Sequence, residues 1–520
     1  MSAATIDDAR AALLGHFGYH DFRPGQSEVV SAILAGRDAL AVMPTGAGKS
    51  VCYQVPAAVL GGLTLVISPL IALMGDQVRA LKEAGIRGSY LNSTLNARQQ
   101  SIVMQRALDG WYDIMYVAPE RLGDYRFRQF ISQAKVPLLA IDEAHCVSQW
   151  GQDFRPAYRD IADFVGSLPA RPVVAALTAT ATERVRDDIT DLLGLSDPLV
   201  EVSGFDRPNL FLGTAELSRR EKDAWLAGYV RHHDDASGIV YIESRKGVER
   251  VASDLADRGV DVVRYHAGLS IEERSSARMR FVADDVRVMV ATTAFGMGID
   301  KPNVRWVVNM GLPLSLEEYY QQAGRAGRDG GPAECWLLWN RGDLRTCRFL
   351  IDHAEPAEGV TADEARAALR NRGHLLDGML AYAEDEDCLR RHILAYFGED
   401  LDDVPETCDN CSCCTDTETG VLERTDVRRR PTARKVDRTR VAAAAAETPE
   451  ASETFDRLRA LRKRLASEAG VPPYVVFSDA TLHAMAAAAP TTADELLQVS
   501  GVGPIKLERY GDAFLAELAR

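Results

Sequence analysis

Short apolar runs alternate with longer segments of helical periodicity twice along the chain, and this alternation limits the possible folds most strongly. Between residues 26 and 200 the runs are "DALAVM", "LTLVIS", "DIMYVA", "LLAIDE" and "VVAALTAT". The alternation restarts after "GFDRPNL" with "GIVYIES", "DVVRYHA", "RVMVATTA" and "RWVVNMG". Strands that alternate with helices form parallel sheets covered by helices. The sequence therefore predicts an α/β protein with two parallel-sheet lobes, residues 1–203 and 204–340, and a cleft between them.

Three further segments follow the second lobe. Residues 341–414 have helical character and end in a cysteine cluster, which in a reducing compartment favours a metal-binding module. Residues 415–452 carry a run of arginines before "AAAAA" and few large apolar residues, so we expect a flexible basic linker that is either a solvated spacer or a DNA-touching tether. Helical periodicity returns at 453–520, where "TADE" predicts a capping box, and indicates a closing all-α domain.

Charge and hydropathy exclude other classes of protein. The 520 residues have a formal net charge of −15 and a pI near 5.3, which argues against a surface that attracts nucleic acid everywhere but allows a local basic groove. The N-terminus "MSAATIDDAR" lacks an apolar signal core, and no apolar run reaches the roughly 18 residues that span a membrane. We expect a cytoplasmic protein with no membrane contact.

The segment "AVMPTGAGKS", residues 41–50, follows a predicted strand and precedes a predicted helix, the context in which a glycine-rich turn binds phosphates. Gly46 and Gly48 would let the backbone approach a nucleotide, Lys49 would reach its outer phosphates, and Ser50 would ligate Mg²⁺. The full phosphate-loop pattern has glycine where this chain has Met43. The sequence therefore predicts a nucleotide phosphate site.

Two further motifs supply the groups that phosphoryl transfer requires. The strand "LLAIDEAH" would deliver Asp142 to a metal ion and Glu143 to the attacking water. On the second lobe, "QQAGRAGRDG" places Arg325 and Arg328 where they can act as arginine fingers in cis. Because these groups lie on opposite lobes, hydrolysis would require the cleft to close, as in a nucleotide-driven motor.

The order of the motifs resembles that of the RecQ family of superfamily 2 DNA helicases. They are "FGYHDFRPGQ", "MPTGAGKS", "VISPLIALMGDQV", "YVAPERL", "DEAHCVSQWGQDFRP", "ALTATA", "FDRPNL", "YHAGL", "ATTAFGMGIDKPNVRWV" and "YYQQAGRAGRDG", within roughly residues 10–415. The resemblance implies two RecA-like lobes and ATP-driven translocation along single-stranded DNA in the 3′ to 5′ sense, with unwinding of duplex or forked DNA in recombination and repair. It implies ATP, Mg²⁺ and Zn²⁺ as cofactors, single-strand-binding or recombination proteins as candidate partners, a monomer, and a nucleoid location in a bacterium.

The resemblance also assigns DNA-coupling residues. The family has an aromatic-rich loop after the DEAH motif that senses single-stranded DNA, and here it would present Trp150 and Phe154 to the bases and Arg155 to phosphate. Stacking of a base on an aromatic ring contributes about 1–3 kcal/mol. Thr178 and Thr180 in "ALTATA" would link the ATP site to DNA.

Nucleotide recognition follows from the same likeness. Tyr19 and Arg23 would sandwich the adenine, and Gln26 would bind its edge. Asp300 in "GMGID" would respond to the nucleotide.

The cysteine cluster is similar to the zinc module of the family. Three thiolates would come from "CDNCSCC" and the fourth from the helix "CLRRHILAYFGE", which gives the tetrahedral set Cys388, Cys408, Cys411 and Cys414. On spacing alone, Cys413 competes with Cys414 as the last ligand. Such a closed site is structural, not catalytic.

The chain also departs from the family pattern. Gln322 replaces a usual glutamate beside the arginines, and Gln152 replaces a usual histidine in the aromatic loop, which puts the strength of DNA-to-ATP coupling in question. No winged-helix domain fits between Cys414 and the tail, so we expect lower processivity than in members that have one. The alternatives are a DNA-stimulated translocase with little unwinding and a DNA-annealing scaffold.

The tail, with "VPPYVVFSDATLHAMA" and "LLQVSGVGPIKLERYG", resembles an HRDC domain. Its glycines either present backbone N–H groups to phosphate or form a packing turn.

Overall fold

The computed structural model describes residues 4–69, 71–151, 153–296, 301–354, 361–415 and 449–520. The first lobe has seven strands, β1 (Ala39–Val42), β2 (Thr64–Ile67), β3 (Gly88–Leu91), β4 (Ile114–Val117), β5 (Leu138–Ile141), β6 (Val173–Thr178) and β7 (Leu199–Val202). They pair in parallel in the order β3-β4-β2-β5-β6-β1-β7. Because helices cover both faces, β1, β2, β4 and β5 are buried along their whole length, which explains their continuous apolar runs.

The helices of the first lobe connect these strands. They are α1 (Ile6–Phe17), α2 (Gln26–Leu34), α3 (Val51–Leu60), α4 (Ile71–Glu83), α5 (Ala97–Leu108), α6 (Tyr125–Ile131), α7 (Asp160–Gly166) and α8 (Glu183–Leu192). Short 3-10 turns lie at Pro119–Arg121, Ala144–Val147 and Pro156–Arg159. The second of these turns precedes the aromatic loop and the third forms its end, so short turns and not long helices hold that loop.

The second lobe repeats the plan with six parallel strands in the order β10-β11-β9-β12-β13-β8. These are β8 (Leu210–Glu216), β9 (Ser237–Tyr241), β10 (Val262–Tyr265), β11 (Val288–Ala291), β12 (Val304–Met310) and β13 (Ala333–Trp339). Its helices are α9 (Arg219–His232), α10 (Arg245–Asp257), α11 (Ile271–Val282) and α12 (Leu316–Ala323). Two parallel-sheet lobes are as the sequence predicts.

The cysteine module contains α13 (Arg341–Asp352), α14 (Ala362–Ala383) and α15 (Leu389–Tyr396). It packs against the edge strand β8, where Leu212 forms an isolated parallel bridge with Cys411. Arg390 is buried, pairs with Asp206 at 2.5 Å, and donates to the carbonyl of Leu210 at 2.7 Å. These contacts fix the module to the second lobe.

The C-terminal domain contains α16 (Pro449–Ala469), α17 (Pro473–Val476), α18 (Asp479–Ala488), α19 (Ala493–Leu497) and α20 (Pro504–Leu518). It is all-α, as predicted. The described part of α16, Pro449–Ala469, overlaps the last residues of the segment predicted as linker. Most of that predicted linker, residues 416–448, lies outside the described residues. No helix in the described parts of the chain is both long enough and apolar enough to span a membrane.

The C-terminal domain packs against both lobes. The amide of Gly501 donates to the carbonyl of Gly18 at 3.1 Å, and Arg509 pairs with Glu83 at 2.5 Å, both on the first lobe. On the second lobe, Asp285 pairs with Lys463 of α16 at 2.8 Å. The "SGVGP" segment is therefore a packing turn in this structure.

Candidate ATPase site and DNA-coupling loop

The phosphate loop connects the end of β1 to the start of α3. Gly46 and Gly48 have φ angles of +89° and +82°, which residues with a Cβ rarely adopt. Lys49 Nζ donates to the carbonyl of Met43 at 3.1 Å. The side chain of Met43 lies in the core at the strand end, which explains why glycine is not required there. The loop therefore has the strand–turn–helix form that the motif predicts.

The two acidic residues follow β5 at the same edge of the sheet. Ser68 Oγ lies 3.4 Å from Asp142 Oδ2, and burial, followed by the charge of Glu143, raises the pKa of Asp142 to about 7. Burial lowers the pKa of Lys49, whereas the charges of Glu143 and Asp142 oppose that shift. Lysine and carboxylates thus form one electrostatically coupled group.

Both predicted arginines reach this group from the second lobe. Arg325, just after α12, is only 5% exposed, and its Nε and Nη1 have no hydrogen-bond partner within the described residues. Burial lowers its pKa, and the charge of Glu143 is among the groups that raise it. Arg328 packs on the phosphate loop, since a Cβ added at Gly46 would lie 3.4 Å from Arg328 Cγ. The cleft therefore contains cations of one lobe beside carboxylates of the other.

Arg207 joins the two lobes at this point, and the sequence reasoning assigned it no role. Its Nη1 donates to the carbonyl of Thr45 at 2.6 Å, and its Nη2 donates to the carbonyls of Ala326 and Gly327 at 3.0 Å each. Arg207 belongs to the motif "FDRPNL", and its place in that motif was the only indication in the sequence that it has a role. Arg207 therefore connects the phosphate loop directly to the arginine segment.

A relay of polar contacts leads from Glu143 to the second lobe. His145 Nδ1 lies 3.4 Å from Glu143 Oε2 and 2.8 Å from Thr178 Oγ1. Thr178 Oγ1 donates to the carbonyl of Thr180 at 3.2 Å, and Thr180 Oγ1 accepts from Gln321 Nε2 at 3.2 Å. The predicted threonines are thus brought together with His145 and Gln321, which sequence reasoning missed because nothing local pairs them.

The aromatic loop, here residues 148–159, carries arginines on its rings. The guanidinium of Arg184 lies 3.2 Å from the ring centre of Trp150, and that of Arg159 lies 4.8 Å from the ring centre of Phe154. Such cation–π contacts are favourable and cover one face of each ring. Binding of a base to those faces requires the arginines to move.

Arg155 of the same loop is also engaged. Its guanidinium pairs with Asp153 at 2.9 Å and donates to the carbonyl of Pro69 at 3.4 Å. Gln152, the predicted departure from the family, lies outside the described residues.

Two of the three predicted adenine-binding residues, Arg23 and Gln26, contact the phosphate loop. Tyr19 is 39% exposed, and Arg23 Nη1 donates to the carbonyl of Gly46 at 2.7 Å. Gln26 is buried, and its Nε2 donates to the carbonyls of Ala47 and Gly48 at 2.9 and 3.0 Å. In this structure the amide of Gln26 therefore holds the loop that would bind phosphates. Asp300 lies outside the described residues.

Gln322 points into the second lobe and not into the cleft. Its side chain bonds to Asn309, and its Nε2 donates to Glu318 Oε1 at 3.3 Å. Burial raises the pKa of Glu318 to about 7. A glutamate at 322 would oppose this buried carboxyl, whereas the amide donates to it.

Four cysteine thiols come together at the end of the helical module. The sulfur atoms of Cys388, Cys408, Cys411 and Cys414 lie within 4.8 Å of one another. Cys408 Sγ and Cys414 Sγ are 4.0 Å apart, close to the roughly 3.8 Å of two thiolates on one tetrahedral Zn²⁺. Cys413 Sγ instead donates to the carbonyl of Asp385 at 3.6 Å. The four thiols fit a zinc ion, and Cys414 is the member of the pair that belongs to the group.

Four family models match successive parts of the chain. They are the DEAD/DEAH box helicase over residues 23–189, the helicase conserved C-terminal domain over 221–330, the RecQ zinc-binding domain over 341–415 and the HRDC domain over 452–518. These models support ATP and Zn²⁺ as ligands of the chain.

Solved structures with a similar fold are helicases. A Mycobacterium smegmatis helicase Lhr bound to ssDNA and AMP-PNP superposes with a TM-score of 0.52 at 21% identity, over 70% of this chain and 56% of that one. The DUF1998 helicase MrfA bound to DNA gives a TM-score of 0.55 at 18% identity, over 74% and 57%. At these identities the likeness shows the fold alone.

Sequence relatives extend over nearly the whole chain. The ATP-dependent DNA helicase RecQ of Bacillus subtilis is 38% identical, with 98% of each chain covered, and that of Haemophilus influenzae is 35% identical, with 98% of this chain and 95% of the relative covered. The first alignment is 594 positions long, more than the 520 residues here, so that relative contains segments without a counterpart in this chain. The chain belongs to the RecQ family of ATP-dependent DNA helicases.

Proposed function

We propose that the protein translocates on single-stranded DNA in the 3′ to 5′ sense and unwinds duplex or forked DNA at the expense of ATP, in recombination and repair. The observation that carries the proposal is the meeting of Lys49, Asp142 and Glu143 of one lobe with Arg325 and Arg328 of the other. Arg325 has two buried nitrogens without partners in the described structure, and Glu143 Oε2 is likewise without a hydrogen bond. A triphosphate and its attacking water would satisfy these atoms.

Each residue then has a distinct role. Lys49 and the amides of the phosphate loop bind the outer phosphates, and Glu143 accepts the proton of the attacking water. Arg325 and Arg328 stabilise the negative charge that develops on the transferred phosphoryl group. Because the two sets belong to different lobes, hydrolysis and product release would change the contact between the lobes.

Mg²⁺ fits the oxygen donors beside the phosphate loop. Ser50 and Asp142 would hold it, because Mg²⁺ prefers hydroxyl and carboxylate oxygens. When bound, it neutralises phosphate charge. Ionised Asp142 is required for this, so the ion would oppose the raised pKa of the free carboxyl.

DNA would reach the ATP site through the aromatic loop. Trp150 and Phe154 would stack on bases and Arg155 would bind phosphate, while Thr178 and Thr180 transmit the change to Glu143 through His145. Tyr19, Arg23 and Gln26 would contact the base of the nucleotide, and Asp300 would respond to its phosphates. Single-strand-binding or recombination proteins are the partners such a motor would meet in the cytoplasm, or in the nucleoid of a bacterium, and we propose that it acts as a monomer.

Strand separation on short duplexes tests this proposal. Duplexes with either a 3′ or a 5′ single-stranded tail would be mixed with ATP, with Glu143→Gln as the inactive control and DNA-stimulated hydrolysis recorded in parallel. We expect unwinding only of the 3′-tailed duplex. Unwinding from the 5′ tail alone would refute the polarity, and absence of stimulated hydrolysis would refute the motor.

A second candidate is a translocase that unwinds little. It is favoured by the short stretch, residues 416–448, between the zinc module and the C-terminal domain, which is too small for a winged-helix domain. DNA-stimulated hydrolysis without strand separation would support it. The processivity prediction is tested by grafting a winged-helix domain into this stretch, and equal unwinding of long duplexes by both proteins would contradict it.

A further inference from the structure

Helix α14 of the zinc module contacts the aromatic loop at two points. Glu364 Oε1 accepts from Arg159 Nη1 at 3.0 Å and from Gln149 Nε2 at 3.4 Å. Asn371 Nδ2 donates to the carbonyl of Gln149 at 3.2 Å. Glu364 and Asn371 are two helical turns apart and so lie on one face of α14. A single helix face therefore holds the loop.

Arg159 is shared between this contact and the ring of Phe154. The guanidinium that pairs with Glu364 also lies over Phe154, 4.8 Å from its ring centre. The carboxylate thus fixes the cation that covers an aromatic face on which a base is expected to stack. DNA must break one of these contacts to reach that face.

Glu364 is itself held rigidly by the start of its helix. Its second oxygen, Oε2, accepts from both the backbone N and Oγ1 of Thr361 at 2.8 Å, as one half of a capping box. Hydrogen bonds from Thr361, followed by that from Arg159, lower the pKa of Glu364 to about 2. The carboxylate is therefore charged at neutral pH and has one oxygen for the cap and one for the loop.

We infer that Glu364 is a positioning residue that holds Arg159 over Phe154 in the DNA-free protein and thereby sets the DNA concentration at which ATP hydrolysis is stimulated. A DNA phosphate replaces the Glu364 carboxylate on Arg159, and a base replaces the guanidinium on Phe154. This inference rests on the proposed function, because it concerns the same loop. It adds the zinc module as the element that resists loop rearrangement.

Glu364→Gln tests the inference with little disturbance of the helix, because glutamine also completes a capping box. ATP hydrolysis would be measured against the concentration of an unstructured thymidine oligonucleotide. Arg159 and Glu364 are about one third exposed, and such pairs contribute little, so we expect the half-maximal DNA concentration to fall about two- to fivefold. The maximal rate and the KM for ATP should not change, whereas a structural defect would lower the rate.

Asp363→Asn is the matched control. It removes the neighbouring carboxylate, which is 89% exposed and pairs only with Arg366 of its own helix among the contacts seen, and we expect no shift. In an Arg159→Gln background, Glu364→Gln should have no further effect. The inference is overturned if Glu364→Gln leaves the DNA curve unchanged, if Asp363→Asn shifts it equally, or if the shift persists without Arg159.

ATP hydrolysis by the wild-type protein distinguishes failure of this inference from failure of the proposed function. Wild-type hydrolysis that DNA does not stimulate would refute the proposed function. Stimulated wild-type hydrolysis with an unshifted Glu364→Gln curve would refute the inference alone.

Discussion

The ATP cleft and the aromatic loop differ in whether their charged groups have hydrogen-bond or ion-pair partners. In the cleft, two nitrogens of Arg325 and one oxygen of Glu143 are buried without hydrogen-bond partners in the described structure. In the loop, Arg159 pairs with Glu364, and a second arginine covers the ring of Trp150. Buried polar groups without partners are costly, so the cleft is complementary to a ligand, whereas under the proposed function the loop would exchange protein partners for DNA.

This difference predicts different consequences of mutation. A ligand that fills unsatisfied sites gains their full interaction, so loss of a cleft residue should mainly lower the rate of hydrolysis. A ligand that displaces existing partners gains only the difference between two interactions. Loss of a loop residue should therefore produce smaller changes, mainly in apparent DNA affinity.

Arg325→Ala should have the largest effect of these substitutions on ATP hydrolysis. Removal of an arginine finger lowers the rate of phosphoryl transfer by about 10³–10⁵-fold, so we expect a loss of at least 10³-fold in the kcat of DNA-stimulated ATP hydrolysis, with a smaller change in KM. Arg341→Ala, at a 73% exposed arginine, is the control. A decrease of less than tenfold would contradict the role of Arg325.

Cys414→Ser should remove the support of the aromatic loop, because the module with the four cysteines also carries α14. Loss of a structural metal ligand belongs to the most destabilising class of substitutions, about 4 kcal/mol. We expect less than stoichiometric zinc by atomic absorption and a lower thermal midpoint. Cys413→Ser is the control at the neighbouring residue, because the Cys413 thiol donates to the carbonyl of Asp385 and is not one of the four clustered thiols. Equal zinc loss in both variants would contradict the assignment of Cys414.

The residues of the ATP cleft could be predicted from the sequence because their chemistry requires particular residue types at fixed spacing. Gly46 and Gly48 are recognisable because the backbone of a phosphate loop requires positive φ at those positions. Carboxylates and arginines are recognisable because phosphoryl transfer needs them whatever the surroundings. The motifs therefore allow a separate prediction for each of these residues of the cleft.

Long-range contacts could not be predicted in this way. The pairing of Arg159 with Glu364 joins residues 205 positions apart, and the placement of Gln26 on the phosphate loop depends on how α2 packs. The packing of the C-terminal domain across both lobes was equally hidden, since its glycine turn suits either a phosphate or a neighbouring helix end. No local pattern encodes which partner a surface residue will meet.

Trp150→Ala should weaken the binding of DNA to the aromatic loop. Stacking on an aromatic ring contributes about 1–3 kcal/mol per base, and release of Arg184 offsets part of this. We expect about a tenfold increase in the DNA concentration for half-maximal stimulation, with an unchanged KM for ATP. Trp111→Ala is the control, because that ring also carries an arginine, Arg106, but is outside the loop. An unshifted DNA curve would show that Trp150 does not bind DNA.

Gln321→Ala tests the relay that connects the two regions, and it should have a smaller effect than Arg325→Ala or Trp150→Ala. The hydrogen bond from Gln321 to Thr180 crosses between the lobes at 3.2 Å, and one hydrogen bond contributes about 1 kcal/mol, or roughly fivefold. We expect the ratio of DNA-stimulated to DNA-free hydrolysis to fall by about that factor. Gln105→Ala removes a hydrogen bond within one exposed helix and should leave the ratio unchanged.

The double variant of Gln321→Ala with Thr180→Val decides whether the relay acts as a unit. If the bond carries the coupling, Thr180→Val alone should lower the ratio similarly, and the double variant should lower it no further than one substitution does, because both remove the same contact. Additive losses would mean that each side chain acts through separate neighbours. The lobes would then communicate through the packing around Arg207, which contacts the phosphate loop and the arginine segment simultaneously.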